Sequence, residues 1–144
     1  PNQISEFINL NLNSHIIITR LLLPYFKTNN NGFLIYIGSE ASYKVGKYGS
    51  IYSACKFGLR GFVKSIRIET SLNNIKVTQI NPGIVKTPFY NNLKISPGKE
   101  HDEFIEPNDI SDVIINVLKM RNGTVIDEIN LTSQKKIITF KRKN

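Results

Sequence analysis

The chain has 144 residues, with 19 Lys and Arg, 11 Asp and Glu, a single Cys and 40% hydrophobic residues. This length fits one globular domain, and the apolar content is too high for a globally disordered chain. One cysteine excludes an internal disulfide and a cysteine-rich zinc site, and no metal site is predicted. The best candidate for a membrane span, residues 15–26, contains Arg20 and Pro24 and is too short.

The formal net charge of +8 is concentrated at the C-terminus. Residues 135–144 hold five of the 19 basic residues and none of the 11 acids, so residues 1–134 carry only +3. A short basic segment with one aromatic residue, Phe140, is more typical of a solvated, frayed terminus than of a nucleic-acid-binding arm. We therefore divide the chain into residues 1–134 and a basic tail, and expect no nucleic-acid partner. Nucleic-acid binding through the tail stays as an alternative that predicts a steep loss of affinity with salt.

The predicted elements begin with a helix. Apolar residues at helical spacing indicate a buried helix over residues 5–27, with Ser5 as its N-cap. Pro24 should kink or end its last turn, and the sequence Asn-Asn-Asn-Gly at residues 29–32 is a strong turn. The continuous apolar run at residues 33–37 then predicts a strand that is buried on both faces.

The same alternation continues through the rest of the chain. Helical spacing returns over residues 51–72 and is followed by a strand at residues 75–80. A long irregular segment at residues 81–106 leads to a third helix over residues 107–120, and residues 125–131 form a third strand.

Three helix–strand pairs in this order are typical of a parallel α/β sheet with right-handed crossovers. The chain opens on a helix, however, with neither a strand nor a glycine-rich turn before it, and Pro1 is not an initiator methionine. A three-stranded parallel sheet is also thin for an independent fold. We therefore predict the C-terminal half of a doubly wound parallel-sheet domain, with the N-terminal half missing.

Ser39, Tyr52 and Lys56 bring a hydroxyl, a phenol and an ammonium together. Tyr52 and Lys56 leave the same face of the second helix, and Ser39 follows the first strand, at the edge where open parallel sheets bind ligands. An ammonium at about 4 Å stabilises a phenolate by roughly 4 kcal/mol at an effective dielectric of 20, and a serine can donate to a developing oxyanion. The trio suits acid–base chemistry on an alcohol or a carbonyl. Taken alone, a Tyr and a Lys at this spacing more often reflect a tyrosine packed on the sheet and a lysine in solvent.

Several motifs together resemble the classical short-chain dehydrogenases/reductases. The sequence YSACK at residues 52–56 matches the family's Tyr-x-x-x-Lys motif, and Ser39 precedes its tyrosine by thirteen residues. The sequence NPGIVKTP at residues 81–88 matches the Pro-Gly-x-x-x-Thr segment that follows the next strand. The resemblance extends over residues 9–131 and covers most of the chain.

This resemblance implies a Rossmann-type fold and the oxidation or reduction of a small alcohol or carbonyl substrate with NAD or NADP. In such enzymes the tyrosine, here Tyr52, exchanges a proton with the substrate oxygen. The serine, here Ser39, orients that oxygen, while the lysine, here Lys56, stabilises the tyrosinate and binds the nicotinamide ribose. Asn11 occupies the place of the family's fourth catalytic residue, which holds a water in the proton relay. Asn9 and Asn13 are neighbouring alternatives for this role.

The cofactor positions follow from the same resemblance. Tyr52 and Lys56 would contact the nicotinamide riboside, and the carboxamide would bind the segment formed by Pro82, Gly83, Ile84 and Thr87. The family's pyrophosphate-binding glycine turn is absent from these 144 residues. We therefore expect the chain alone to hold a dinucleotide poorly and to be inactive.

Two further segments, residues 126–129 and residues 87–103, bear on the substrate and on its access to the site. The Ile-Asp-Glu-Ile sequence at residues 126–129 replaces a common Asp-Gly-Gly ending and resembles members that act on small hydroxy acids or other small polar substrates. Residues 87–103 should form a mobile lid, with Phe89 and Tyr90 closing over the substrate.

The resemblance also implies a cytoplasmic homo-oligomer, a dimer or a tetramer, without a membrane partner. Gly58 and Gly61 would let another helix approach closely, although packing against the chain's own elements would explain them equally. The alternative function is that of a truncated, non-catalytic remnant that serves as an interaction module.

Overall fold

The computed structural model describes residues 2–47 and 49–141. In this part the chain forms the strands β1 (Gly32–Ile37), β2 (Ile75–Pro82), β3 (Ile95–Pro97), β4 (Glu128–Leu131) and β5 (Ile138–Phe140). It also forms the helices α1 (Asn2–Ile8), α2 (Ser14–Thr28), α3 (Ser50–Glu69) and α4 (Pro107–Leu118). A π-helical segment, Asn9–Asn13, joins α1 to α2. Short 3₁₀ turns cover Glu40–Ser42, Ser71–Asn73 and Pro88–Tyr90.

The main sheet has the strand order β1-β2-β4, and both pairs of neighbouring strands are parallel. Gly32 aligns with Ile75 at the start of the β1–β2 pair, and Gln79 aligns with Glu128 at the start of the β2–β4 pair. A helix precedes each strand of this sheet along the chain. The predicted parallel α/β architecture is therefore confirmed.

The first helix is longer than predicted at its N-terminal end. Helical structure is present from Asn2, so Ser5 lies inside α1 and is not its N-cap. The helical residues before Ser5 are Asn2, Gln3 and Ile4, none of which is a glycine or a proline, and an exposed helical turn tolerates them. At the other end the helix passes through Pro24 and ends only at Thr28, because a proline removes a single backbone donor from the helical ladder.

Helix α3 packs on one face of the sheet and forms the centre of the core. Alternating residues of a strand point to the same face, which places Ile75 and Val77 of β2 towards this helix. The buried members of this cluster are Leu23, Tyr36, Leu59, Val63, Ile66, Ile75 and Val77. Burial of these side chains fixes the height and rotation of α3 above the strands.

Helix α4 lies near the opposite face of the sheet. Lys76, which alternates with the core-facing residues of β2, donates hydrogen bonds to Met120 O at 3.3 Å and Arg121 O at 3.2 Å, directly after α4. Lysine donors at this end of a helix satisfy carbonyls that have no partner within the helix. The strands therefore have helices on both sides, as a parallel sheet requires.

The third strand of the main sheet is shorter than the predicted span of residues 125–131. Strand β4 begins at Glu128, and the residues before it contact β2 in a different way. Thr78 Oγ1 donates to Ile126 O at 2.7 Å. The first of these carbonyls to accept a backbone N–H of β2 is that of Asp127, which accepts from Gln79. A side-chain hydrogen bond thus takes the place of a backbone hydrogen bond between strands at the start of the predicted strand.

Both edges of the main sheet are unpaired within the described residues, and the β1 edge lies beside an exposed apolar helix surface. Strand β1 pairs with β2 on one side only. The neighbouring helix α2 exposes Ile17, Leu21 and Tyr25, each with more than half of its surface accessible. An open edge beside an apolar surface is typical of a sheet that continues in another polypeptide segment.

We expect Leu59→Ala to lower the free energy of unfolding by about 2–5 kcal/mol, because this fully buried side chain fills the centre of the α3 contact. Leu72→Ala is the matched control, since Leu72 is 93% exposed, and it should change the free energy by about 0.5 kcal/mol or less. Urea unfolding of the two variants measures the difference. Equal effects of both changes would contradict the assignment of the core.

Candidate active site

Ser39 lies at the carboxyl end of β1, at the start of a 3₁₀ turn. Its Oγ accepts the N–H of Ala41 at 3.1 Å, and Ser42 Oγ accepts the N–H of Ser39 at 3.2 Å. This reciprocal pair of hydrogen bonds resembles a capping box and fixes both the backbone and the side chain of Ser39. Because Ser39 Oγ accepts from the backbone, its own proton stays available for donation to a ligand.

Tyr52 and Lys56 project from the first two turns of α3. The Lys56 ammonium lies 5.5 Å from the centroid of the Tyr52 ring, within the range of a cation–π contact. The Tyr52 ring also makes an edge-to-face contact with Phe7 of α1, with ring centroids 6.3 Å apart. The two side chains therefore share one face of the helix, as their spacing predicts.

Lys56 is a buried cation, with only 7% of its surface exposed. Burial lowers the pKa of its ammonium. Within the described part of the chain, this ammonium donates no hydrogen bond to a protein acceptor. A buried charge is unfavourable unless acceptors surround it, so the Lys56 site is suited to a ligand that brings oxygen atoms.

Asn11 lies in the π-helical segment, a distortion that is frequent at functional sites. Its Nδ2 donates to Phe7 O at 3.0 Å, one turn earlier. The segment packs tightly on α3, where a Cβ at Gly58 would approach Leu12 Cδ2 to 3.2 Å. Farther along, burial and the Lys56 ammonium lower the pKa of His15, four residues after Asn11. His15 therefore lies within electrostatic range of Lys56, and the π-helical segment before it packs on the same helix α3.

Gly58 and Gly61 have different surroundings in the structure. Gly58 contacts Leu12 of the chain's own first helix, whereas a Cβ at Gly61 would meet no atom of the described residues within 4 Å. Close packing inside the chain thus explains the first glycine only.

The predicted cofactor segment follows β2, next to Ser39. The Gly83 N–H donates to Leu131 O at 2.8 Å, and Ile84 O accepts from the Ile105 N–H at 2.8 Å. A Cβ at Gly83 would lie 3.4 Å from Glu40 Oε2, in the turn that begins at Ser39. The structure thereby brings the ends of β1, β2 and β4 together at one edge. Pro82 is buried, whereas Thr87 is half-buried and directly precedes a 3₁₀ turn.

The predicted lid segment places one of its aromatic residues beside Tyr52. Burial and the neighbouring Tyr52 raise the pKa of Tyr90, whereas a hydrogen bond with the Val85 backbone lowers it. The rings of Phe89 and Tyr90 make an edge-to-face contact at 5.1 Å, and Phe89 is mostly exposed. Tyr90 thus lies within electrostatic range of the proposed acid–base residue, while Phe89 is mostly exposed.

Residues 135–141 are mostly exposed, as expected of a solvated tail, but they are not frayed. Strand β5 pairs antiparallel with β3 of the lid segment, and the hydroxyls of Ser96 and Thr139 lie 2.7 Å apart. Lys141 Nζ donates to Tyr90 O at 2.6 Å and to Asn91 O at 2.8 Å, where the 3₁₀ turn ends. The tail is thus fastened to the lid by a strand pair and an ammonium that caps exposed carbonyls.

Two ion pairs complete this attachment of the tail. Lys135 contacts Asp102 at 2.8 Å, and Lys136 contacts Glu40 at 2.7 Å. Lys44 contacts the same Glu40 oxygen at 2.8 Å. Because Glu40 directly follows Ser39, the tail reaches from the lid to the turn that carries the proposed catalytic serine.

Sequence reasoning did not identify the polar side chains buried beneath this edge. Gln79 and Asn81 of β2 are 2% and 0% exposed, and they face α3. Their signal was present, since two amide residues with a spacing of two continue the face of β2 that begins with the apolar Ile75 and Val77. The sequence analysis assigned these residues no role.

Two classes of feature are absent from the part of the chain that the structure describes. No group of three or more His, Cys, Asp or Glu side chains is arranged to hold a metal ion. None of the helices in residues 2–47 and 49–141 is long and apolar enough to cross a membrane.

The family model of the short chain dehydrogenases matches residues 1–97 of the chain. This match covers the Ser39, Tyr52 and Lys56 positions and the segment after β2. The chain therefore belongs to the short-chain dehydrogenase family of oxidoreductases.

Curated relatives and solved structures agree with this assignment. Sepiapterin reductase of Chlorobaculum tepidum is 30% identical over 128 residues, which are 86% of this chain and 50% of the relative. The NADP-dependent 3-hydroxy acid dehydrogenase of Schizosaccharomyces pombe is 30% identical over 83% of this chain and 48% of its own length. The chain thus spans about half the length of the curated relatives it matches.

The fold is also found in a solved alcohol dehydrogenase from the archaeon Thermococcus sibiricus, complexed with 5-hydroxy-NADP. It superimposes with a TM-score of 0.81 at 23% identity, over 95% of this chain and 57% of that structure. The described elements are consistent with part of a Rossmann-like domain, as predicted.

We expect the tail to detach from the lid in acid. The Lys135 ammonium lowers the pKa of Asp102. Burial raises the pKa of Glu40, but the Lys136 and Lys44 ammonium groups outweigh it and lower the net value. Carboxylates with lowered folded-state pKa values stabilise the docked tail above their unfolded-state values, and this stabilisation is lost as the pH falls through the folded-state values.

Amide NMR signals of residues 135–141, followed from about pH 6 to about pH 3, test this expectation. The signals should move towards unstructured positions in acid, and Glu40→Gln should already weaken the docking at pH 6. Glu69→Gln, at the far end of α3, is the charge-matched control. Tail signals that stay fixed throughout would rule out ionic docking.

Proposed function

We propose that the protein containing this chain is an NAD(P)(H)-dependent oxidoreductase that interconverts a small alcohol and its carbonyl. The observation that carries the proposal is the buried Lys56 ammonium beside the Tyr52 ring, at the end of the sheet where Ser39 offers a free hydroxyl proton. Family membership supports the same assignment. Catalysis by Ser39, Tyr52, Lys56 and Asn11 is part of this proposal.

The three polar groups have complementary roles. Ser39 would donate its proton to the substrate oxygen, because its hydroxyl accepts from the Ala41 N–H and that contact leaves its own proton unused. Tyr52 gives a proton to that oxygen during reduction and takes it back during oxidation. Lys56 places a buried positive charge 5.5 Å from the centroid of the Tyr52 ring, and burial means that water screens this charge less.

Lys56 and the segment after β2 would hold the nicotinamide end of the cofactor. The Lys56 ammonium lacks a protein acceptor in the described residues, which fits ribose hydroxyls as ligands. Pro82, Gly83, Ile84 and the Thr87 hydroxyl would line the position of the carboxamide. When bound, the cofactor supplies hydride chemistry that no side chain can provide.

Asn11 would connect Lys56 with solvent through a water molecule. The π-helical distortion at Asn11 and the packing of this segment on α3 support this role. One N–H of the Asn11 amide donates to Phe7 O, and the side-chain oxygen can accept a hydrogen bond from such a water.

The names of two relatives support a proposal for the substrate class. One acts on 3-hydroxy acids with NADP and another is a sepiapterin reductase, so a small polar hydroxy or oxo compound with NADP is our specific proposal. Tyr90 beside Tyr52 would form one wall of the substrate pocket. The whole protein would form a homo-oligomer, and the open surface at Gly61 supports a helix contact with another copy.

We expect Tyr52→Phe to lower kcat of the complete protein by roughly 10²- to 10⁴-fold, because the variant keeps the ring and loses only the exchangeable proton. Tyr25→Phe is the matched control, since Tyr25 is exposed on α2, and it should keep normal kcat. NADPH oxidation with a panel of small oxo acids measures turnover, and circular dichroism confirms the fold. Near-normal kcat for Tyr52→Phe would refute the acid–base assignment.

A second prediction concerns residues 1–144 alone. The described residues would hold the nicotinamide end of the cofactor, but residues 1–144 include no glycine-rich turn for the pyrophosphate. We expect no measurable binding of NAD(H) or NADP(H) in calorimetric titrations, and self-association in light scattering because α2 and β1 expose apolar surface. A monodisperse monomer that binds a cofactor with micromolar affinity would contradict both expectations.

A further inference from the structure

A chain of buried hydrogen bonds runs beneath the site and is not part of the chemistry described so far. We call it the amide network, and it consists of Ser42, Gln79, Asn81, Glu128 and Arg60. Ser42, Gln79 and Asn81 are each exposed by 2% or less. Buried polar side chains of this kind require partners, and the direction of each hydrogen bond can be derived from one charged end.

The charged end is the ion pair between α3 and β4. Arg60 Nε donates to Glu128 Oε1 at 2.8 Å, and Arg60 Nη2 donates to Glu128 Oε2 at 3.0 Å. This two-point contact fixes the plane of the carboxylate. Glu128 Oε1 also accepts from Asn81 Nδ2 at 2.7 Å. Because a carboxylate can only accept, the orientation of the Asn81 amide is determined.

The remaining orientations follow from Asn81. Its Oδ1 must face Gln79 Nε2, which donates to it at 2.7 Å. The same Gln79 nitrogen lies 3.3 Å from Ser42 Oγ, and Ser42 Oγ accepts the backbone N–H of Ser39. The network therefore connects the Glu128 carboxylate to the backbone of the proposed catalytic serine.

Both ends of the amide network reach the proposed site. At one end Ser42 accepts the backbone N–H of Ser39. The other end is Arg60, which follows Lys56 by four residues and Tyr52 by eight on the same face of α3. The network thus joins the turn after β1 to the helix that carries the phenol and the ammonium. Gly38 lies against it, since a Cβ there would collide with Asn81 Oδ1.

One atom of the network is unsatisfied. Gln79 Oε1 is buried without a hydrogen-bond partner in the described part of the chain. An apolar residue of similar shape would avoid this unfavourable arrangement, because Gln79 lies on the same face of β2 as Val77 in the core. The amide at this position therefore does not serve packing alone.

We propose that Gln79 and Asn81 are positioning residues that keep Ser39 in register with Tyr52 and Lys56. This inference rests on the proposed function and adds a specific structural support to it. Its physical basis is that a shift of about 1 Å in a reacting group can lower the rate by roughly 100-fold. Hydrogen bonds that run from α3 to the Ser39 backbone restrict such a shift.

The test uses Gln79→Met in the complete protein, because methionine matches the shape and removes the donor. We expect kcat to fall by roughly 10- to 100-fold while KM for the cofactor stays within about threefold. Thr78→Val is the matched control: Thr78 is equally buried on the same strand and loses one hydrogen bond, to Ile126 O, on the opposite face. It should leave kcat unchanged, although both variants lose stability.

A double-mutant cycle with Ser39→Ala distinguishes positioning from general damage. If Gln79 acts through Ser39, Gln79→Met in the Ser39→Ala background should lower kcat by less than about twofold further. The same fold-loss in both backgrounds, or normal kcat for Gln79→Met, would overturn the proposal. If Gln79→Met does not fold, Ser42→Ala, which removes one oxygen of the network, decides the question with the same cycle.

Failure of the proposed function has a different outcome. Normal kcat for both Ser39→Ala and Tyr52→Phe would remove the acid–base assignment and the positioning role with it. Loss of activity in those two variants, together with full additivity for Gln79→Met and Ser42→Ala, would remove the positioning role only.

Discussion

The packing of α3 on the sheet is the constraint on which the proposed site depends. One side of this helix contributes Leu59, Val63 and Ile66 to the core, and all three are buried. An adjacent side carries Tyr52, Lys56 and Arg60 at intervals of one turn. Since the apolar contacts fix the rotation of the helix, they also determine where the phenol, the ammonium and the guanidinium lie relative to the strand ends.

Two buried polar groups near the proposed site, the Lys56 ammonium and the Gln79 carbonyl, are unfavourable for the stability of the fold. Burial of Lys56 lowers the pKa of its ammonium, which shows that the protein environment disfavours the charge. The Gln79 carbonyl is a second unfavourable group in the same region. Both groups lie close to the carboxyl edge of a parallel sheet, where open α/β folds bind their ligands. Buried groups that lower the stability of the fold are expected at functional sites.

The sequence was sufficient for the parallel α/β architecture because each element has a strong local signal. Continuous apolar strands and long amphipathic helices can be recognised from spacing alone, and Tyr52 and Lys56 share a face for the same reason. The ends of elements were less predictable. Strand β4 starts late because the Thr78 hydroxyl takes the place of a ladder contact, which no local pattern indicates.

Features that depend on contacts between distant residues could not be predicted. The tail docks through two three-residue strands whose paired residues are more than forty positions apart, and through ion pairs with Asp102 and Glu40. Charge density alone predicted a frayed tail, because it does not show which carboxylates lie close to the tail lysines. The amide network could not be predicted for a related reason: Gln79 and Asn81 form it only together with Glu128, which lies on the neighbouring strand.

The central claim is that Ser39 and Tyr52 act on one substrate oxygen while Lys56 binds the cofactor. A crystal structure of the complete protein with a nicotinamide cofactor and an unreactive carbonyl analogue tests it most directly. The account predicts that Ser39 Oγ and Tyr52 Oη both lie within hydrogen-bonding distance of the analogue's carbonyl oxygen, with Lys56 Nζ on the nicotinamide ribose. An analogue whose carbonyl oxygen contacts neither hydroxyl, or a cofactor bound away from Lys56, would contradict it.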